Sequence, residues 1–427
     1  MRHFSCPRLA SHLCLAGLIS CIPVSAIAVT FESAQQLALT NAPQLRASHA
    51  QITAAQQLAI PAGELPDPKI KLAVDNLPVS GPDRFNPSFN GMAMQTVALM
   101  QEFPNRDKRN ARIQAANARI AISEMDNKIT QQNVARDTAQ AWITQYSVEQ
   151  QLRLIDALEA ENQLFSQVIQ AQLASGKGSI SDTILPKQER ARLGEMRDEL
   201  SARRAQAMAQ LKRWVGIAAN EGVTGQLPTF QIDAHTLQNH LANRPELATF
   251  DPKGNVLNAE IAEARAGKTP DWGVELKYQR NPHDDDSIML EFSFDLPIFS
   301  GQRQDPMIAA KVAEKTALDA EREASLRERS AELANDIADL QRLQQANQRY
   351  QTTLIPLAAE KISLTLSAWK SGKAPLSEVI AARRDRLDTQ LKAIAVTGEL
   401  HQLQARLHFT YHNAITNIAA NTAGAAQ

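Results

Sequence analysis

The chain has 427 residues, of which 21% are charged and 5% aromatic, and its formal net charge is −1. This near-neutral, aromatic-poor composition gives no indication of a nucleic acid partner. All three cysteines, Cys6, Cys14 and Cys21, lie near the amino terminus, so a chain processed beyond them has no thiol and no disulfide. No later stretch is apolar for long enough to form a membrane-spanning helix.

Residues 1–28 are predicted to be a signal peptide. Two arginines precede an apolar run, and the small residues of Ala26-Ile27-Ala28 form a typical cleavage site. The mature protein would then begin near Val29 and leave the cytoplasm. A lipoprotein signal in which Cys21 carries the lipid is the alternative. Simple cleavage is favoured because Pro23 and the two small residues suit it, and because helical sequence begins almost immediately afterwards.

The first structural repeat is predicted to cover residues 29–216. Two short amphipathic helices are followed by two strands, at about 67–76 and 92–103, which are separated by a loop rich in Pro, Gly and Asn. The two segments are predicted to be strands because apolar and polar side chains alternate in them, clearly in the first and less cleanly in the second.

A very long helix is predicted at residues 105–175, where the chain contains no Gly or Pro. Such a helix would be on the order of 105 Å long. Gly176-Lys177-Gly178 ends it, and a shorter helix is predicted at 181–215, with Ser181-Asp182 at its N-cap.

After a linker at 217–230, the same order of elements recurs in a second repeat at 231–420. This repeat is predicted to contain two strands and two helices, and a disordered tail at 421–427 follows it. The predicted strands lie at 271–280 and 287–297, and the predicted helices at 302–370 and 377–414.

The two repeats share short sequences at matching places. Ser175-Gly176-Lys177 returns as Ser371-Gly372-Lys373, and Asn41-Ala42-Pro43 returns as Asn243-Arg244-Pro245. The second repeat also differs from the first in its prolines. Pro356 is expected to kink its long helix, and Pro252 with Gly254 to interrupt its early helix.

The predicted strands have one apolar and one polar face. Each strand of the second hairpin is about nine residues long, which is enough for a tilted strand to cross a bilayer. A soluble hairpin with one buried face would show the same alternation. Four strands cannot close a barrel in a membrane, since the smallest such barrels have about eight, so several copies of the chain would have to share one barrel. The polar side chains expected to line its lumen are Lys69, Lys71, Glu275, Lys277 and Glu291.

The sequence resembles TolC-type outer-membrane efflux factors over essentially the whole mature chain. The features that carry the resemblance are the duplicated strand-hairpin plan, the Asn-x-Pro-x-Leu starts of both repeats, Gln101-Glu102-Phe103-Pro104 at the end of a strand, and the two Gly-Lys turns. The resemblance implies a mixed fold, mainly α with β, in which a homotrimer forms a twelve-stranded β-barrel continued by a long α-helical periplasmic tunnel.

The same resemblance implies function and partners. Such a protein is a passive duct rather than an enzyme and uses no cofactor. It lies in the outer membrane, in contact with its lipid, and extends into the periplasm. There it meets a periplasmic adaptor, or membrane fusion protein, and an inner-membrane pump of the resistance-nodulation-division class.

Three further segments are similar to the heavy-metal branch of these factors, the CusC- and CzcC-like proteins that serve metal-exporting pumps. They are Leu65-Pro66-Asp67-Pro68, Asp75-Asn76-Leu77-Pro78 and the strand from Met92 to Pro104. The branch usually has Gly-Lys-Arg after the strand-ending proline, whereas this chain has Asn105-Arg106-Asp107-Lys108-Arg109. Heavy-metal cations are the expected cargo. The alternatives are drug efflux or type I protein secretion through the same architecture, and a periplasmic coiled-coil scaffold without a pore.

Asp182 and Glu378 lie just beyond the two helical turns, where the resemblance places the periplasmic entrance of the tunnel. Three copies of each carboxylate would form a constriction that favours cations. The alternative is that both side chains cap helices and complement the positive helix start.

Gly176, Lys177, Gly372 and Lys373 are, by the same resemblance, the tips that the adaptor contacts. A simple structural role is equally compatible with the sequence, since glycine commonly ends a helix in the left-handed conformation.

Two groups of residues could suggest metal binding. His401, His408 and His412 share one helical face, but packing is favoured because no carboxylate or thiol is spaced to complete a site. Met92, Met94 and Met100 are predicted to be lipid-facing strand residues rather than copper ligands. No metal site and no catalytic constellation are predicted.

Overall fold

The computed structural model describes residues 28–87, 93–176, 178–239, 241–281 and 285–411. Several predictions concern residues outside these ranges. They are the signal peptide up to residue 27 with its alternative lipid site Cys21, the residues Met92, Lys177 and His412, the end of the second repeat beyond 411, and the tail at 421–427.

The first half of the chain contains four helices and two strands. Thr30 caps the first helix by accepting a hydrogen bond from the Ser33 amide at 3.2 Å. Asn105 caps the longest helix in the same way, with its Oδ1 2.9 Å from the Lys108 amide. In order, the elements are α1 (Phe31–Asn41), α2 (Pro43–Ala59), β1 (Lys69–Asp75), β2 (Met94–Phe103), α3 (Arg106–Ala174) and α4 (Ile184–Val215).

The second half repeats this order with additional short helices. The fold is mainly helical with a small sheet, as predicted from the sequence. The elements are α5 (Ala234–Asn239), α6 (Pro245–Ala248), α7 (Phe250–Ala266), β3 (Trp272–Arg280), β4 (Ser287–Phe294), α8 (Gln304–Arg349), α9 (Ile355–Lys370) and α10 (Leu376–Tyr411).

The prolines of the second repeat act differently from one another. Pro252 and Gly254 do not interrupt a helix, because α7 runs through both of them. Pro252 is tolerated there because it lies in the first turn, where its missing N–H has no helical partner to lose. Near Pro356 the helix does change, because a π-helical turn at Tyr350–Leu354 separates α8 from α9.

The four strands form one antiparallel sheet in the order β1-β2-β3-β4. Residues opposite each other in adjacent strands point to the same face. One such row contains Lys71, Ala98, Lys277 and Met289, and the next contains Leu72, Val97, Tyr278 and Ile288. The register therefore assembles one polar face and one apolar face from all four strands.

The register corrects the prediction for the methionines of β2. Met94 is opposite Asp75, and Met100 is opposite Lys69 and Glu275, so both lie on the polar face rather than the apolar face. Val97 and Leu99 are the β2 residues that join the apolar face. Parity within one strand does not tell which face is apolar when that strand contains Met, Thr and Ala on one side and Gln, Val and Leu on the other.

The helical core is organised around α3, which packs against α2, α4, α7 and α10. Trp142, in the middle of α3, is fully buried in a cluster with residues of α1 and α4. Its indole Nε1 donates a hydrogen bond to the Val29 carbonyl at 2.9 Å, which satisfies the polar end of the buried ring. A second cluster joins α5, α8 and α10 through leucines such as Leu237, Leu333 and Leu407.

Candidate functional site

The sheet has two open edges in the described part of the chain, because β1 pairs only with β2 and β4 only with β3. Its apolar face is exposed to the surroundings on all four strands. An exposed apolar surface of this extent marks a contact with another molecule or with lipid. Its large members are Ile70, Leu72, Val74, Val97, Leu99, Trp272, Leu276, Tyr278, Ile288, Leu290, Phe292 and Phe294.

The opposite face contains the polar side chains that were predicted to share it. Lys69 forms an ion pair with Glu102 at 2.7 Å. Lys277 lies between two carboxylates and forms ion pairs with Glu275, at 3.6 Å, and with Glu291. Exposed pairs of this kind add little stability, so their main effect is a hydrated, charged wall.

A compact set of contacts joins the sheet to the helices below it. The Asn105 amide donates to Asp271 Oδ1 at 2.8 Å, and Lys108 forms an ion pair with the same carboxylate. The rings of Phe103 and Trp272 stack with their centroids 4.1 Å apart. Although partial burial alone would raise the pKa of Asp271, the hydrogen bonds from Lys108 and Asn105 outweigh it and hold the pKa below its usual value.

This junction was not identified from the sequence. Asn105 and Lys108 belong to the segment that departs from the usual Gly-Lys-Arg pattern, and Asp271 lies far away in the chain. The only local signal was Asn105 itself, which is a good N-cap residue directly after a proline. The structure shows that the segment fixes the angle at which α3 leaves β2.

The two predicted tips are helix ends in the left-handed conformation. Gly176 has φ +72° and Gly372 has φ +73°, and each donates its amide to the carbonyl of the residue three before it, Leu173 or Trp369. A side chain at either glycine would point into open space. The glycines are therefore required by backbone conformation, and the tips are open to contact. Lys373 donates its amide to the Ala368 carbonyl at 2.8 Å.

The two predicted entrance carboxylates have different local roles. Asp182 completes a capping box with Ser179, since its Oδ2 accepts from the Ser179 amide at 3.4 Å. Glu378 lies in the first turn of α10, where its charge complements the helix dipole. Neither carboxylate takes part in an ion pair among the described residues. Capping is thus present at Asp182, and both charges remain available to solvent.

Above these tips, arginines of α10 connect the two helical hairpins. Glu161 of α3 pairs with Arg383 at 3.1 Å and with Arg386 at 2.9 Å, and Glu189 of α4 pairs with Arg384 at 2.7 Å. Arg383 also lies over the ring of Phe165, 4.6 Å from its centroid. Burial lowers the pKa of Arg383 below its usual value. We call these ion pairs the arginine clamp. The sequence gave no signal for it, because its members are dispersed among many surface charges.

The described histidines make packing contacts, as favoured from the sequence. The ring Nδ1 of His401 lies 2.9 Å from the Pro228 carbonyl, and burial lowers the pKa of His401. His408 packs between Phe230 and Phe409, with ring centroids 4.9 and 5.0 Å away.

A cavity of about 770 Å³ lies between α3, α7 and α8, close below the sheet. Its charges neutralise one another: Arg112 pairs with Glu263 at 2.7 Å, and Arg119 and Lys311 pair with Glu260 at 2.9 and 3.0 Å. Ion pairs of this kind hold neighbouring helices together.

Two searches of the described residues gave negative results. None of these helices has an apolar segment sufficient to cross a membrane. No group of three or more His, Cys, Asp or Glu side chains in this part of the chain is arranged to hold a metal ion.

Comparison with known proteins agrees with this architecture. No curated protein sequence matches the chain. Among solved structures, a membrane protein from Pseudomonas aeruginosa is similar with a TM-score of 0.77 and 17% identity, over 89% of this chain and 92% of that one. The outer membrane protein VceC from Vibrio cholerae gives 0.74 and 16%, over 89% and 95%. CusC gives 0.71 and 15%, over 89% and 91%. At these identities the likeness concerns the fold.

A family model provides the assignment. The model described as outer membrane efflux protein matches residues 34–216 and 236–410, which together are well over half of the chain. Its two matched stretches contain both strand pairs and both long helical hairpins. The chain therefore belongs to the outer membrane efflux protein family.

Proposed function

We propose that the chain is the outer-membrane channel component of a tripartite efflux system of the resistance-nodulation-division class, and that it exports heavy-metal cations as a homotrimer. The observation that carries the proposal is the four-stranded sheet, which has two open edges, an exposed apolar face and a charged opposite face. Such a sheet is incomplete as a soluble domain and suited to the wall of a pore.

The trimer follows from the requirement that backbone groups in lipid be paired. Each open edge would leave N–H and C=O groups unsatisfied, at a cost of several kcal/mol per group. Because β1 and β4 are antiparallel to each other within the sheet, β4 of one copy can pair with β1 of the next. Three copies then supply twelve strands, with the apolar face toward lipid and Lys71, Lys277 and Glu291 toward the lumen.

The helices would continue this barrel as a tunnel through the periplasm. In the proposal, Asp182 and Glu378 of three copies surround its entrance and favour cations. The exposed turns with Gly176, Lys177, Gly372 and Lys373 meet the periplasmic adaptor, which connects the channel to the inner-membrane pump.

One experiment separates this pore from a periplasmic scaffold. The purified full-length protein is run on a denaturing gel with and without heating, and is then inserted into planar bilayers. We expect a trimer that is lost on heating, and discrete conductance steps. A protein that is recovered from the periplasm as a soluble molecule without conductance would contradict the proposal.

The cargo needs a separate test, since related channels share one architecture. Support for metal cations comes from the sequence segments similar to the heavy-metal branch and from the acidic side chains at the entrance. A deletion strain is compared with its complemented parent on copper, silver, zinc, cobalt and cadmium salts and on common drugs. Sensitivity to metals alone is expected. Sensitivity to drugs alone, or loss of a secreted polypeptide, would assign drug efflux or type I secretion instead.

A further inference from the structure

The two hairpins of the internal repeat bury equivalent residues to very different extents. When the repeats are aligned at Gly176 and Gly372, Ile180 corresponds to Leu376 and Ile184 to Ile380. Leu376 and Ile380 are 2% and 3% exposed, whereas Ile180 and Ile184 are 75% and 52% exposed. The second hairpin therefore has a cover over its tip that the first hairpin lacks.

The cover of the second hairpin is α3 of the same chain. Leu376 and Val379 of α10 form a buried cluster with Ile169 of α3, and Phe165 packs against it. One to two turns away from the tip, the arginine clamp holds the same two helices together through Glu161. Within one chain, this face of α3 is thus the surface that fits α10.

The equivalent face of the second hairpin is exposed. In the same alignment, Glu161, Phe165 and Val168 of α3 correspond to Leu357, Lys361 and Leu364 of α9. Leu357 and Leu364 are 55% and 63% exposed, and since they are seven residues apart they lie on one side of the helix. This apolar stripe of α9 has no intrachain counterpart.

The chain thus carries one intrachain contact, between α3 and α10, together with both halves of its equivalent, the α9 stripe and the start of α4. We infer that α9 of one copy covers the start of α4 in a neighbouring copy, with Leu357 and Leu364 packing near Ile180 and Ile184. A second copy of this chain is the occupant because the repeat already shows how such a pair of surfaces fits. The inference rests on the proposed trimer and specifies which helices meet in it.

The new contact would differ from its intrachain equivalent in one respect. The position of Glu161, which holds two arginines in the intrachain contact, is taken in α9 by Leu357. Lys187 and Arg190 of α4 correspond to Arg383 and Arg386 and have no ion-pair partner among the described residues. The contact between copies is therefore held by apolar packing without a buried ion pair.

Chemical crosslinking tests this arrangement, because processing near Val29 would leave a chain without cysteine. The test variant carries Thr183→Cys and Thr365→Cys, one on each proposed surface. The matched control carries Val379→Cys and Ile169→Cys, the equivalent residues of the observed intrachain contact. Both are treated in intact cells with a short bismaleimide and heated before denaturing electrophoresis.

We expect the test variant to give covalent dimers and trimers, and the control to give only crosslinked monomers. Each single-cysteine variant should give neither. Crosslinking of the test variant within one chain, or only to a different protein, would overturn the inference. So would the absence of crosslinks in a protein that still runs as a trimer when unheated, whereas failure of the unheated trimer in the unmodified chain would instead contradict the proposed function.

A substitution pair gives an independent measure. Leu364→Glu introduces a charge into the α9 stripe, and Leu164→Glu introduces one at an equally exposed leucine of α3, where the repeat has Glu360 in the equivalent position. We expect Leu364→Glu to reduce the unheated trimer at least threefold and Leu164→Glu to leave it unchanged. Equal trimer yields for the two variants would contradict the inference.

Discussion

At the scale of single residues, the junction below the sheet depends on one carboxylate. Asp271 accepts hydrogen bonds from the amide and side chain of Asn105 and forms an ion pair with Lys108. These donors are provided by the start of α3, so the carboxylate connects the second strand hairpin to the helix that follows the first. Its loss would leave a partly buried ammonium and amide without their acceptor.

We expect Asp271→Asn to destabilise the folded protein by about 1–3 kcal/mol at neutral pH. Since the folded-state pKa of Asp271 lies below the unfolded value, its contribution is present above the unfolded pKa and lost as the pH falls through the folded one. The difference in thermal midpoint between wild type and variant should therefore shrink from pH 7 toward pH 3. The control is Asp319→Asn, which removes an exposed pair with Lys315. A difference that is independent of pH would contradict this assignment.

The glycines of the two tips are also single-residue features, with a purely conformational requirement. A β-branched residue at φ near +72° is strained by roughly 1–2 kcal/mol, but nothing surrounds the position that it would strike. Gly176→Val with Gly372→Val should therefore abolish crosslinking to the adaptor while the trimer and barrel remain intact. Loss of the unheated trimer together with adaptor crosslinking would assign the glycines a structural role only.

At the scale of elements, the helix starts beyond the tips combine capping with charge. Asp182 caps a helix in the structure, so its replacement by Ala would remove a cap as well as a charge. The variant Asp182→Asn with Glu378→Gln removes both charges and keeps the capping oxygen. We expect its single-channel recordings to show reduced cation selectivity, by severalfold, with unchanged trimer stability. Unchanged selectivity would rule out a role of these residues in the pore.

The arginine clamp is the second feature at this scale. Glu161 accepts from two arginines of α10, one of which is buried, and its removal leaves a buried guanidinium without its partner. We expect Glu161→Gln to loosen α3 from α10 and to increase the channel's open time severalfold in bilayer recordings. Glu323→Gln, which breaks an exposed pair with Arg327 within α8, is the matched control. Equal effects of the two variants would show that the clamp does not restrain the tunnel.

Elements differ in how far they could be predicted. The strands β3 and β4 were predictable because their alternation is strict, and the long α3 because it lacks Gly and Pro. The faces of β2 required the register, which depends on pairing with β1 and β3. Asn105, Asp271 and the clamp could not be predicted, because their partners are remote in sequence and only the fold brings them together.

At the scale of the whole molecule, the sheet is the part that is complete only in an assembly. Its apolar side chains come from all four strands and its edges are open. A charge on the face toward lipid is therefore expected to cost far more than a charge on the opposite face.

Neighbouring residues of β4 make this comparison direct. Leu290 is on the apolar face and Met289 on the polar face. Leu290→Arg should destabilise the barrel by about 2–4 kcal/mol if it lies near the bilayer midplane, and Met289→Arg should have little effect. The measurement is the temperature at which the trimer dissociates on a gel. A reversed order would show that the faces are assigned the wrong way round.

The unequal charge of Glu161 and its repeat counterpart Leu357 has a mechanical consequence. Around a closed ring of hairpins, junctions within a chain are directional because arginines grip a carboxylate, whereas junctions between chains rely on greasy surfaces that can glide. We expect the ring to dilate at every second junction, with each chain's two hairpins swinging outward as one stiff blade, so that the aperture widens with threefold rather than sixfold symmetry.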